Sequence, residues 1–188
     1  FAEARPDLKV TVMTKAVTGE SNTRYAQGGV AAVWDTALDS KEKHIADTLD
    51  AGDGLCNVDV VKMVVDEGPV RVQELIEWGA RFDKSQSGTY DLGREGGHTE
   101  NRILHYKDIT GWEIQRTIME KAKQLSNIEI IENCFAIDLL TQHHLGYNIT
   151  RVTPGIECYG VYALDKDHLD VETHLARVTV IATGGAGQ

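Results

Sequence analysis

The run Leu8–Met13, LKVTVM, is compact, apolar and rich in β-branched residues, and it reads as a buried strand. A second such run, Val178–Ala182, leads directly into Thr183, Gly184 and Gly185. What lies between the two decides the class. Thr18–Val33 is a glycine-rich connection with room for one helical turn, and Lys41–Leu49 is predicted as a helix stopped by Gly52 and Gly54. Asn57 is placed to cap a further helix with Val60, Val61, Val64 and Val65 at helical spacing. Gly68 and Pro69 are expected to interrupt it, with Pro69 in the first turn of a new helix that carries Val72, Leu75 and Ile76 and ends at Gly79. Thr110 and Glu113 form a capping-box pattern ahead of Ile114, Ile118, Ala122 and Leu125 on one helical face. Strands follow at Ile128–Ile131, Cys134–Leu140, Glu157–Leu164 and Val171–Ala176, with Asp165–His168 as a hairpin turn. Strand, helices, strand, a three-strand antiparallel excursion and a return strand predict an α/β layered domain.

Composition narrows the function classes. The 188 residues and 41% hydrophobic content suit one globular domain. With 29 acidic against 19 basic residues, a formal net charge of −10 and no run of Lys or Arg, nucleic acid is not an expected partner. No apolar stretch reaches the roughly 18 to 20 residues of a membrane helix, and no signal-peptide pattern opens the chain, so a soluble, cytoplasmic protein is expected. Cys56, Cys134 and Cys158 are far apart and show no CxxC spacing, which reads as buried thiols. Nothing in the sequence speaks to an oligomeric state. The start at Phe1 and the end at Gln188, just past a strand, both look cut, so further elements are expected on either side.

Three segments carry candidate chemistry. In Ser21–Gly29, SNTRYAQGG, the paired glycines permit close approach of backbone N–H groups to a planar ligand, while Ser21, Asn22, Thr23 and Gln27 offer hydrogen bonds; an ordinary surface loop fits the same composition. Ala182–Gly185, ATGG, lies at the carboxyl end of an apolar strand, where ligands of open α/β sheets bind, or where a strand simply turns. Arg94–His98, REGGH, continued by Asn101, Arg102 and His105, gathers charges, imidazoles and glycines able to bind a small charged substrate. Within it, Glu95 beside Gly96–Gly97 is the carboxylate suited to meet an ammonium group, against the alternative of a solvated loop with local ion pairs. No metal site is read. His143 and His144 would point to opposite faces of a strand, and Asp165, Asp167 and Asp170 lack the glycine and closing glutamate of a calcium loop. Trp34, Trp78 and Trp112 read as packing residues, and a GxGxxG fingerprint is absent.

Taken in order, SNTRYAQGG, REGGH with the ILH and TG-E that follow, and the closing ATGG resemble the L-aspartate oxidases, flavoproteins related to the succinate dehydrogenase and fumarate reductase flavoprotein subunits. The resemblance runs from Leu8 to Gly185. It implies noncovalent FAD in a partial dinucleotide fold, with residues 1–188 an incomplete FAD-binding domain that lacks the N-terminal GxGxxG strand-helix unit and the C-terminal remainder. A chain without that unit is expected to bind FAD poorly. The implied cofactor contacts are Lys15, following the second strand of that fold, Asn22, Thr23, Arg24, Tyr25, Ala26, Gln27, Gly28 and Gly29, then Phe135 and Ala136, and Thr183, Gly184 and Gly185. Relatives that hold flavin covalently carry histidine where this chain has Asn22, and an amide cannot replace that nucleophile. Relatives also tend to carry phenylalanine where this chain has Glu95.

The resemblance further implies oxidation of L-aspartate to iminoaspartate, the first step of de novo NAD biosynthesis, with oxygen or fumarate as electron acceptor. Aspartate differs from succinate by an ammonium group, and Glu95 is the residue expected to recognise it. A soluble noncovalent fumarate reductase, or a folded piece without catalysis, are the alternatives.

Overall fold

A computed structural model describes residues 1–185. In chain order the strands are β1 (Val10–Met13), β2 (Val30–Ala31), β3 (Leu92–Gly93), β4 (Ile103–Leu104), β5 (Ile128–Ile131), β6 (Cys134–Thr141), β7 (Cys158–Asp165) and β8 (Asp170–Leu175). The helices are α1 (Lys41–Ala51), α2 (Val58–Glu77) and α3 (Thr110–Gln124), with short 3-10 turns at Thr23–Tyr25 and Gln142–Leu145. These elements fall into two compact units, Phe1–Thr18 with Asn127–Gln188, and Gly19–Ser126.

In the first unit β1 and β5 pair in parallel, Val10 opposite Ile128 and Met13 opposite Ile131. Parallel strands require a crossover, and here the crossover is long enough to fold as the second unit. Strands β6, β7 and β8 form the expected antiparallel excursion. Its hairpin turn is closed by Asp165, whose carboxylate accepts from the N–H groups of Asp167 at 2.8 Å and His168 at 3.2 Å. The expected return strand Val178–Ala182 does not form. Val178, Val180 and Ile181 are 76%, 79% and 65% exposed, and among the described residues no strand pairs with them. Apolar β-branched character favours a strand, but only a neighbouring backbone completes one.

The second unit is built on a small antiparallel sheet in the order β2-β4-β3. Ala32, Val72, Ala80, Phe82 and Leu104 form its core, with Trp34 packed edge-on to Tyr90 at 5.3 Å. Helix α1 is capped by Ser40, whose hydroxyl accepts from the Lys43 N–H. The Asn57 side-chain oxygen Oδ1 likewise accepts from the N–H groups of Asp59 and Val60 at the start of α2. Contrary to expectation, α2 runs unbroken through Gly68 and Pro69. Proline removes one hydrogen bond, yet Val65 and Val72 are buried on either side of it, so packing of both halves holds the helix together.

Helix α3 also departs from the sequence reading. Ile109 occupies the cap position, and the Thr110 hydroxyl accepts from the Tyr106 N–H at 3.0 Å instead of closing a capping box. The buried face is Thr110, Gly111, Glu113 and Thr117, whereas Ile118 is 43% exposed. Glu113 is fully buried and ion-paired to Arg81 and Arg116, and these bonds turn the polar side of the helix inward. No helix among the described residues is long and apolar enough to cross a membrane.

Candidate functional site

The segment 21–29 is an ordered turn with an exposed polar rim. Arg24 donates its N–H to the Ser21 hydroxyl at 3.2 Å and a guanidinium N–H to the Gly19 carbonyl at 3.4 Å. Tyr25 donates its hydroxyl to Glu20, and Gln27 donates its amide to Asp108 at 3.2 Å. The Ala26 carbonyl accepts from the Gly111 N–H at 3.0 Å, which seats the turn on the first residues of α3. Gly111 is required by that approach, since a Cβ there would lie 1.8 Å from the Thr23 carbonyl oxygen. Residues 22–28 are all exposed, and the Asn22 side chain makes no capping bond.

The REGGH loop meets this turn. The Glu95 carboxylate accepts from the Gly29 N–H at 3.2 Å and lies 3.2 Å from where a Gly28 Cβ would stand. Two segments 66 positions apart thus share one surface, with an exposed carboxylate beside the paired glycines. Glu95 is bonded to backbone and not paired with Arg94, which is itself exposed.

Beneath the loop lies a buried ion cluster. Arg102 is fully buried and binds Asp39 through two bonds, Nε to Oδ2 at 2.8 Å and Nη2 to Oδ1 at 2.7 Å. Its Nη1 donates to Asp47 at 2.5 Å and to His98 Nδ1 at 3.0 Å. A guanidinium only donates, so His98 Nδ1 accepts and its ring proton sits on Nε2. Asp47 also accepts from the Thr99 N–H and hydroxyl, both at 2.9 Å. Burial alone would raise the Asp47 pKa, but the bonds from Thr99 and Arg102 hold it down at about 2. His44, its ring centre 5.5 Å from that of His98, is pushed below the usual histidine value by burial and by the Arg102 charge. Arg102 is therefore committed inside the protein and is not one of the substrate-facing charges that its place in the motif suggested. His105 is drawn away as well, with Nδ1 3.2 Å from Asp83.

The remaining predicted contacts belong to the first unit. Lys15 follows β1, where the Thr14 carbonyl accepts from the Cys134 N–H at 2.9 Å, so the backbone at Lys15 runs beside the start of β6 and its Phe135 and Ala136. Phe135 is 48% exposed and pairs with Leu164. Thr183, Gly184 and Gly185 are exposed, and Gly184 has φ +81°.

Over residues 1–188 the chain matches the FAD binding domain family. It belongs to that family. L-aspartate oxidase 2-a, chloroplastic, of Nicotiana tabacum is 44% identical over 178 residues, covering 95% of this chain and 26% of the relative. L-aspartate oxidase of Yersinia pestis is 41% identical over 187 residues, covering 97% and 34%. Among solved structures, E. coli quinol fumarate reductase FrdA matches with a TM-score of 0.76 and 30% identity over 87% of this chain and 26% of that one. The chain thus spans about a quarter to a third of the length of the curated relatives it matches.

FAD is the cofactor of this family, and the side chains present fit it. Asn22 and Thr23 are exposed on an ordered turn. In the other unit, Gly184 and Gly185 are exposed, with nothing within 4 Å of where a Cβ would stand. Sequence reasoning missed Asp39, His44 and Asp47. Their partner Arg102 lies 63 and 55 positions from the two aspartates, and no local spacing links them.

Proposed function

We propose that this chain forms part of an FAD-dependent oxidase that converts L-aspartate to iminoaspartate in the cytoplasm, the opening step of NAD biosynthesis, with oxygen or fumarate reoxidising the flavin. The observation that carries the reading is the Glu95 carboxylate held at the Gly28–Gly29 backbone, on the edge of the turn whose Asn22–Gly29 residues would contact noncovalent FAD. FAD, when bound, supplies the hydride acceptor. Glu95 supplies a negative charge for the substrate ammonium, and the Gly29 N–H fixes the direction of that carboxylate. His98 and Arg94 shape the loop, His98 through its bond to buried Arg102. Lys15, Phe135, Ala136 and Thr183–Gly185 complete the cofactor contacts in this reading.

In the flavin-loaded enzyme, Glu95→Gln keeps an oxygen for the Gly29 N–H and removes the charge. Loss of one charge-assisted contact corresponds to a fall in kcat/KM for L-aspartate of about tenfold to a hundredfold. Fumarate reduction is expected to stay within about twofold. Equal losses in both assays would remove Glu95 as the ammonium ligand. The likeness to the fumarate reductase flavoprotein favours a second reading, a noncovalent fumarate reductase with Glu95 purely structural. Flavin reduction by succinate but not by aspartate would establish it.

A further inference from the structure

We propose that Asp138, His143 and His144 form a binding site for a divalent transition-metal ion of the zinc class. On a strand the two adjacent histidines would point to opposite faces, but β6 ends at Thr141 and Gln142–Leu145 is a 3-10 turn. That turn brings the imidazoles together, with ring centres 3.7 Å apart. Both Nε2 atoms face one carboxylate oxygen, Asp138 Oδ2, at 3.4 Å from His143 and 3.5 Å from His144. All three ligand atoms lie within 4.8 Å of one another.

These spacings are those of a metal's ligand shell. Tetrahedral ligands at the usual zinc distances of about 2.0–2.1 Å stand about 3.3 Å apart. Two imidazoles and one carboxylate also select zinc, copper or nickel over calcium or magnesium, which favour oxygen shells. The surroundings hold the ligands in place. Thr141 Oγ1 lies 2.6 Å from His143 Nδ1, occupying that nitrogen and leaving Nε2 for the ion, the arrangement in which an outer partner orients a ligating histidine. His144 packs edge-on against Tyr162 at 4.9 Å. The turn is pinned by Gln142, which donates to the Gly155 carbonyl at 3.0 Å and accepts from the Glu157 N–H at 3.1 Å. The His143 and Asp138 side chains are 43% and 53% exposed, so water completes the shell, and a bound ion would tie the 3-10 turn to β6.

The test is zinc titration of the chelator-treated protein by calorimetry, with thermal unfolding and circular dichroism on each variant. The expected result is one equivalent bound in the micromolar range with a rise in Tm. Asp138→Asn and the double variant His143→Asn/His144→Asn are expected to weaken binding by about tenfold or more, while His168→Asn, an exposed histidine elsewhere, leaves it unchanged. A variant that loses its fold is replaced by cobalt(II) in the unaltered protein, which should shift the imidazole protons of His143 and His144 and spare His168. Millimolar or weaker zinc binding, equal effects in the His168 variant, or cobalt shifts elsewhere would overturn the proposal and leave Asp138 as an ion-pair partner only.

Discussion

Two buried ion clusters in the Gly19–Ser126 unit are built with opposite signs. Around Arg102 one cation is held by two carboxylates, Asp39 and Asp47; around Glu113 one carboxylate is held by two cations, Arg81 and Arg116. The first is sealed, with side chains 0%, 1% and 8% exposed, whereas Arg81 in the second is 60% exposed. The difference matters because a charge stranded in the interior costs several kcal/mol, while a surface partner returns to water. The sealed cluster carries the loop with Glu95 and His98. The open one fastens α3, with Arg116 also donating to the Gly79 carbonyl at 2.9 Å. Rigidity is thus concentrated beneath the loop proposed to recognise substrate.

The hardest way to break this contrast is Arg102→Met, which leaves two buried carboxylates without a counter-charge. A stability loss of about 3–5 kcal/mol is expected, read by urea unfolding. A loss no greater than that of a surface variant would show that the cluster is not sealed.

Acidification should separate the two clusters through their amides. The folded-state pKa of His44 lies below its ordinary 6.5, so its neutral form contributes stability that is complete above 6.5 and is lost as pH falls through the lowered value. Glu113 is a depressed carboxylate: burial alone would raise it, but its bonds to Arg116 and Arg81 bring it from 4.5 to about 2. Its contribution is complete above 4.5 and fades as pH falls toward 2. Hydrogen exchange, corrected for the intrinsic rate, should therefore show the Thr99 amide, bonded to Asp47, weakening before the Arg81 amide, bonded to Glu113. The reverse order would assign the cluster more sensitive to acid to α3.

The smallest effect is expected for Arg81→Met. Arg116 still pairs with Glu113, and the backbone N–H of residue 81 still donates to Glu113. A change in Tm no greater than that of an ordinary surface substitution is expected by thermal unfolding. A larger one would mean that Arg81 acts as a buried partner despite its exposure.

Local signals carried the reading wherever a few consecutive residues decide the outcome. The strand Ile128–Ile131 and the Asn57 cap lie where the sequence places them, because β-branched runs and capping side chains act through near neighbours. The same reasoning failed at Pro69, where burial of Val65 and Val72 outweighs a proline, and at Val178–Ala182, where no partner strand supports an apolar run among the described residues. At His143–His144 alternation along a strand does not apply, since the strand has ended and the pair lies in a 3-10 turn.

By itself the sequence determined the motifs, the resemblance they carry and the candidate status of Glu95, all properties of short ordered segments. The tertiary structure decided which charges face outward. It set Glu95 against the Gly29 N–H, buried Arg102 between Asp39 and Asp47, and turned the polar face of α3 inward around Glu113. For Arg102 and Glu113 the outcome depends on which distant groups share a desolvated space, and the free energy of a buried charge is governed by that space and not by its neighbours in the chain.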